Sequence, residues 1–273
     1  MPEPITLIGG SAVVAYLSKD GIKKILGPTA DYLGDSLRDF AVKRGETINR
    51  IFKNAADKLG DEIEKEAEVP PKVLKSILDE GSYSTDILSV EYFGGILASS
   101  RTPRGRDDRG ARLAKLVDSM SSYQIRAHFL IYSSIKDVFK SDELRFDRYG
   151  RPKMELFIPY EAFIKAMDFD ENEEKQFRQI LSHILSGLHS DSLLNDWLYG
   201  DRDHLSTRYP GAPSGGILLI PSVPGAELFL WAFGASQMEL EHIFSPDFKA
   251  QVDGLPNLLA GTIATMKPVV PSK

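Results

Sequence analysis

The chain has 273 residues, a formal net charge of −6 and a pI near 5.5, and 42% of its residues are apolar, enough to bury a sizeable core. The acidic balance excludes a surface built throughout for nucleic acid, which needs a local excess of Lys and Arg. The absence of cysteine excludes disulfide frameworks, thiol nucleophiles and Cys-ligated zinc, and fits a cytoplasmic protein.

The N-terminal apolar stretch from Ile5 to Leu17 has no basic flank ahead of it and is shorter than the roughly 20 residues that span a bilayer, so neither a secretory signal nor a membrane span is expected there. From Gly21 the apolar positions recur at helical spacing through Ile22, Ile25, Leu26, Leu33 and Leu37, interrupted by Gly27-Pro28, and continue through Phe40, Ile48, Ile51, Phe52 and Leu59. That spacing predicts a short helix and a long one. An acidic run from Asp61 to Glu68 follows, and Pro70-Pro71 stops the chain and opens a new helix carrying Val73, Leu74, Ile77 and Leu78. Ser84, Thr85 and Asp86 offer caps for a helix through Leu88, Tyr92, Phe93, Ile96 and Leu97, whose Gly94-Gly95 pair would let a neighbour approach closely. After an Arg-rich loop, a helix runs through Leu113, Leu116, Val117 and Met120, and Ser121 or Ser122 caps another through Ile125, Phe129, Leu130, Ile135 and Phe139.

Beyond Lys140 the period changes. Leu144 to Phe146 and Met154 to Ile158 flank a six-residue polar turn and predict a β-hairpin. Pro159 opens a helix, and a second one from about Asn172 carries Phe177, Ile180, Leu181, Ile184, Leu185 and Leu188. Leu193 to Tyr199 reads as a short strand, Asp201 to Ser214 as a loop, Gly216 to Pro221 as a buried strand and Gly225 to Phe233 as an apolar helix. Pro221, Pro224 and Glu227 argue against a membrane span over Gly215 to Met238. The expected fold is therefore mainly α: an N-terminal multi-helix domain over 1–140, a small α+β, wing-like C-terminal module over 141–245, and a C-terminal extension or tail over 246–273.

The strongest functional signal is the Arg-rich loop. Between Arg101 and Lys115 six basic residues stand against two acidic ones, and Arg101, Arg104, Arg106, Arg109 and Arg112 form a candidate surface for a phosphate or a partner's carboxylates. The alternative is an exposed loop in which Asp107 and Asp108 neutralise the arginines. Aromatic residues are not interleaved with these arginines, which counts against single-strand stacking. His183 and His189 lie six apart, off the spacing that puts two ligands on one helical face, so no metal site is assigned. Ser99, Ser100 and Ser182 lie outside any G-x-S-x-G turn, and no dinucleotide or phosphate-loop fingerprint is present, so no catalytic residues and no cofactor are assigned.

Taken together, LGPTADYLGDSLRDF with INRIFKNAADKL (26–59), VPPKVLKSILDEGSYSTD with EYFGGILASS (69–100), LVDSMSSYQIRAH (116–128) and IPSVPGAELFLWAFG (220–234) closely resemble the abortive-infection alpha (Abi-alpha) family. The resemblance implies a bacterial protein of defence against bacteriophage, leaves the mechanism open and carries across no catalytic residues; with no catalytic constellation in the sequence, the role expected is that of a non-enzymatic sensor or effector. A protein partner from phage or host is then expected, with homo-oligomerisation and nucleic-acid binding open and a membrane partner not expected. Two alternatives remain: a DNA-associated regulator that uses the wing-like module with the same arginines, and a membrane-perturbing effector.

Overall fold

Two compact units are built from the chain: one runs to Ser119 and includes Trp231–Gly234, and the other comprises Met120–Leu230 with the residues from Ala235 onward. The computed structural model describes residues 34–266 except Thr85 and Ser141, with side chains from residue 45. The apolar stretch at 5–17 and the Gly27-Pro28 break lie outside the described residues.

In the first unit, helix α1 (Gly34–Leu59) ends in a 3-10 turn over Gly60–Glu64. Its apolar spacing buries Ile48, Ile51, Phe52, Ala55 and Ala56. Helix α2 (Pro71–Gly81) starts on Pro71, whose fixed φ suits the first helical position and whose missing N–H would have no partner there. Helix α3 (Ile87–Ser99) is N-capped by Asp86, whose Oδ2 accepts from the Ser89 N–H at 3.0 Å. Buried nearly all round, α3 has no polar face to give it a period. Helix α4 (Arg109–Ser119) buries Ala111, Leu113, Ala114 and Val117 and leaves Arg112, Lys115 and Asp118 exposed. Each fully buried aliphatic side chain here contributes about 1.5–3 kcal/mol. The two glycines of α3 set how near its neighbours come. A Cβ on Gly95 would lie 1.8 Å from the Ala232 carbonyl oxygen, and one on Gly94 would lie 2.3 Å from the Asn54 side-chain oxygen.

The second unit begins with α5 (Ser122–Phe139), closed at its start by a capping box in which Ser121 and Gln124 satisfy each other's backbone N–H. Strand β1 (Leu156–Pro159), helix α6 (Tyr160–Met167), a short helix α7 (Glu171–Lys175) and α8 (Phe177–Ser190) follow. Strand β2 (Leu194–Gly200), a short helix α9 (Arg202–Ser206), strand β3 (Gly216–Pro221), helix α10 (Val223–Ala232) and a two-residue strand β4 (Ile263–Ala264) complete it. The strands form one antiparallel sheet in the order β2-β3-β1-β4. Register fixes the faces. Leu218 stands opposite both Leu198 and Phe157, and this face is covered by Leu205, Tyr209 and Ala212 of the β2–β3 connection. The order helix, strand, three helices, strand, a connection carrying α9, strand, with β3 between β1 and β2, resembles that of a winged helix.

Under the sheet, His128 and Tyr132 of α5 meet the start of α10. The ring Nε2–H of His128 donates to the Gly225 carbonyl at 3.1 Å, and the Tyr132 hydroxyl donates to Leu193 O at 2.7 Å while accepting from Ser222 N at 3.0 Å. Ser222 caps α10, its Oγ accepting from Gly225 N at 3.0 Å and donating to Ser192 O at 2.6 Å. Desolvation lowers the His128 pKa to about 3 and raises that of Tyr132 to about 12.

Four expectations change. The predicted hairpin over 144–158 does not form: β1 pairs with β3 and β4 instead. Phe146 is drawn away from it, its N–H bonded to Glu241 Oε1 at 3.1 Å and its ring stacked on Phe244. Asp147 closes the following turn by accepting from the N–H groups of Tyr149 and Gly150, both at 2.8 Å. The helix expected from about Asn172 is two helices, broken at Gln176. The segment 246–266 is no tail, since Phe248, Ala250, Val252 and Leu259 are buried and β4 extends the sheet. The compact units divide at Ser119 and Met120 rather than at 140, so α5 goes with the sheet and the end of α10 with the first unit.

Candidate partner-binding surface

The Arg-rich loop, 101–108, joins α3 to α4, and the structure sorts its cations by what they already hold. Arg101 turns back under the loop: its guanidinium donates to the carbonyls of Glu62 (2.8 Å), Ile63 (3.0 Å) and Lys65, the last groups of the turn after α1. Burial pulls its pKa down. Arg101 is thus a clamp on three carbonyls at the end of that turn, where helical partners run out. Thr102 exchanges both backbone hydrogen bonds with Glu68, each at 3.0 Å, which ties the loop to the segment before α2. Gly105 sits at φ +53 directly over Glu68, where a Cβ would lie 2.4 Å from the Glu68 Cγ. Only glycine fits that position.

The far side of the loop is equally held. Asp107 accepts from Arg109 Nε at 2.9 Å and Nη2 at 2.7 Å and caps its N–H at 3.2 Å, while the guanidinium lies 5.2 Å from the centre of the buried Trp231 ring. The hydrogen bond from Arg109 holds the Asp107 carboxyl below its usual range. Asp108 pairs with Lys72 at 2.9 Å. Asp107 is thus neutralised by an arginine of the cluster, whereas Asp108 is paired outside it, with Lys72.

What remains is Arg104, Arg106 and Arg112. All three are exposed, and their guanidiniums have no hydrogen-bond or ion-pair partner among the described residues. Of the five sequence candidates, Arg101 and Arg109 are committed to holding the loop, Arg104 and Arg106 are exposed on it, and Arg112 is exposed on α4. Planar guanidinium forks suit bidentate contact with carboxylates or phosphates.

The histidines divide differently. His128 is fully buried and its nitrogen is occupied by Gly225, so it is a core residue. Exposed His183 meets the Ser121 hydroxyl at 3.0 Å and His189 the Leu194 carbonyl at 3.2 Å. Among the described residues no group of three His, Asp or Glu side chains is arranged to hold a metal ion. Ser99 and Ser100 donate to the carbonyls of Trp231 (3.0 Å) and Ile96 (2.7 Å), which are helix and packing bonds.

A second charged cluster spans the turn after α6 and the short helix α7: Asp168 and Asp170 in the turn, and Glu171, Glu173 and Glu174 in the helix. Asp170 and Glu173 form a capping box, and Glu173 also accepts from the Tyr123 hydroxyl. Asp168 lies in the left-handed region at φ 56 and closes α6, while Arg126 Nε donates to the Ala166 carbonyl at 2.9 Å. The carboxylates of Asp168, Glu171 and Glu174 are exposed and have no partner among the described residues. In the sequence Asp168/Asp170 and Glu173/Glu174 read as helix N-terminal charges that favour the dipole, and the structure adds that Asp170 and Glu173 close a capping box there.

Among the described residues no helix is long and apolar enough to cross a membrane; the stretch 215–238 is divided between β3 and α10. Comparison with protein-family models, with curated proteins and with solved structures finds no match.

Proposed function

We propose that the chain is a non-enzymatic sensor or effector of bacterial defence against phage, and that it works by binding another protein through Arg104, Arg106 and Arg112. The observation that carries this reading is the division of the loop. Arg101, Arg109, Thr102 and Gly105 tie the loop backbone down, so a partner of Arg104 and Arg106 has only their side chains and not the loop to order. The defence role rests on the resemblance of residues 26–128 and 220–234 to the abortive-infection alpha family.

The test is the triple variant Arg104→Ala, Arg106→Ala, Arg112→Ala. Because all three side chains are exposed and unpaired, the melting temperature should stay within about 2 °C of the parent. Phage protection and capture of the partner from infected cells should be lost. Full protection by a correctly folded triple variant sinks the reading.

The winged-helix connectivity of the second unit favours a second reading, a DNA-associated regulator. Its charge weighs on the other side: residues 160–215 hold ten carboxylates against five Lys and Arg. Such a surface repels phosphate. A gel shift at low ionic strength that weakens steeply with salt and depends on the second unit would restore this reading over the first.

A further inference from the structure

We propose that the open edge of β2 takes an extended segment of another protein in which basic and apolar residues alternate, adding a fifth strand to the sheet of the second unit. This surface contains none of Arg104, Arg106 and Arg112 and is separate from the one proposed above.

The register shows which backbone groups are free. The Tyr160 N–H donates to the Gly215 carbonyl at 3.3 Å, which continues the β1–β3 ladder and turns Ile217 and Leu219 toward β1. Because ladder bonds alternate along an antiparallel strand, Gly216, Leu218 and Ile220 then bond Gly200, Leu198 and Asp196 of β2. Trp197 and Tyr199 are left facing away from β3, and β2 is the last strand of the sheet on that side. In keeping with this, the Trp197 N–H bonds the side chain of its own neighbour, Asp196 Oδ1 at 2.8 Å. On this register the Trp197 carbonyl and both backbone groups of Tyr199 have no partner among the described residues. A register shift between Leu194 and Asp196 confines the open edge to the second half of the strand, room for a segment of about four residues.

The side chains set the chemistry of the occupant. Trp197 and Tyr199 stack on one face of the edge, their ring centres 5.8 Å apart and their planes 12° apart. Beside them stands Tyr160, whose hydroxyl is raised to about 12 by burial and then by Tyr199, with Asp201 adding to the shift and Arg178 opposing it. Tyr160 in turn meets Phe177 edge-on at 5.2 Å. All four rings are half-buried, an aromatic surface of the kind that anchors protein partners. Ring faces attract a cation, the Asp201 carboxylate is exposed at the end of β2, and a chain of net charge −6 draws a basic segment toward it. On the opposite face of the edge Leu198 packs against the buried cluster of Phe157, Leu205, Ala212 and Leu218, so an apolar residue fits beside it. The two-residue period of a strand then puts cations over the rings and apolar groups beside Leu198 in alternation. Unpaired main-chain N–H and C=O groups are matched by another strand, which neither a lipid surface nor a nucleic acid supplies.

The probe is a capped hexapeptide of alternating Lys and Val, added to the full chain at about 50 mM salt, where charge is weakly screened. Trp231 is buried and Trp197 half-buried, so a change in tryptophan emission reports the edge. The change should saturate with a Kd below about 1 mM, and amide exchange at Trp197 and Tyr199 should slow. The same peptide N-methylated at its central amides keeps its charge and loses its strand donors; it should bind at least about tenfold more weakly, as should a peptide of alternating Glu and Val. The double variant Trp197→Thr, Tyr199→Thr keeps strand-forming residues and removes the rings, and calorimetry should show a loss of about tenfold or more in affinity. Tyr199→Thr alone replaces it if the double variant melts early. The variant with Arg104, Arg106 and Arg112 changed to Ala should bind the peptide as the wild type does, which separates the two surfaces. Absence of saturable binding to the folded wild type, equal binding of the N-methylated peptide, slowed exchange confined to residues away from β2, or loss of binding in the arginine variant overturns the proposal. So does a chain that dimerises by itself in sedimentation and loses the dimer on Tyr199→Thr, because the edge then takes a second copy.

Discussion

Acidifying the solution from pH 7.5 to pH 5.0 puts His128 under a stress that the rest of the second unit cannot relieve. The ring is fully buried, its Nε2–H is bonded to the Gly225 carbonyl, and Tyr132 and Phe229 lie against it. Burial lowers its pKa in the folded chain to about 3, from the ordinary imidazole value of 6.5. The unfolded chain therefore binds a proton that the folded chain refuses, and the sign follows: the stability from neutral His128 is fully present above pH 6.5 and is lost as pH falls toward 3. Linkage over that interval gives a loss of about 2 kcal/mol by pH 5.0, and roughly 5 kcal/mol in all. Urea unfolding at the two pH values, followed by circular dichroism, measures it. Carboxylates titrate as well, so the comparison is with His128→Gln, whose amide can still donate toward Gly225 but cannot gain a proton. The wild type should lose about 2 kcal/mol more than the variant between pH 7.5 and 5.0. Equal losses in both proteins would refute the assignment of acid sensitivity to this ring.

Other substitutions probe separate parts of the structure. Gly95→Ala drives a methyl group into the Ala232 carbonyl and should destabilise the first unit by about 3 kcal/mol in thermal unfolding, whereas Gly45→Ala, with open space at its Cβ, should change stability by less than about 1 kcal/mol. Arg101→Ala removes the clamp on the 62–65 carbonyls and should cost about 2 kcal/mol, in contrast to Arg104→Ala at under about 0.5 kcal/mol; equal costs would mean the loop is not held as described. Arg208 bonds the buried Glu155 carboxylate at 2.5 Å and Asp196 at 2.9 Å, joining the β2–β3 connection to β1 and β2. Arg208→Ala leaves Glu155 with only the Thr265 hydroxyl and should lower stability by about 2 kcal/mol, with faster hydrogen exchange over 201–215 as the local signature.

Much of the helical architecture could be read from local signals because those signals act over three or four residues. Pro71 opens a helix where the sequence places it, and the caps fall within the stretches the sequence marks, on Asp86 among residues 84–86 and on Ser121 of the pair 121–122, each satisfying orphan N–H groups within one turn. The apolar runs of α2 and α8 likewise bury the face their spacing marks. Gly94-Gly95 signalled close approach, though not that the neighbours would be Asn54 and the end of α10.

The rest depended on partners far away in the chain. Leu144 to Phe146 has strand-like residues, yet Glu241 and Phe244 hold it out of the sheet, and β1 finds its neighbours near residues 217 and 263. No local period encodes a pairing across sixty residues or more. The same holds for the arginines. Composition placed five of them together between 101 and 112. Only the folded chain shows that Arg101 is spent on carbonyls 36–39 residues earlier and Arg109 on Asp107 and Trp231, while the guanidiniums of Arg104, Arg106 and Arg112 stay unpaired among the described residues. A side chain's charge belongs to the sequence; whether that charge is already paired is decided by the tertiary structure, because the pairing groups come together only when the chain folds.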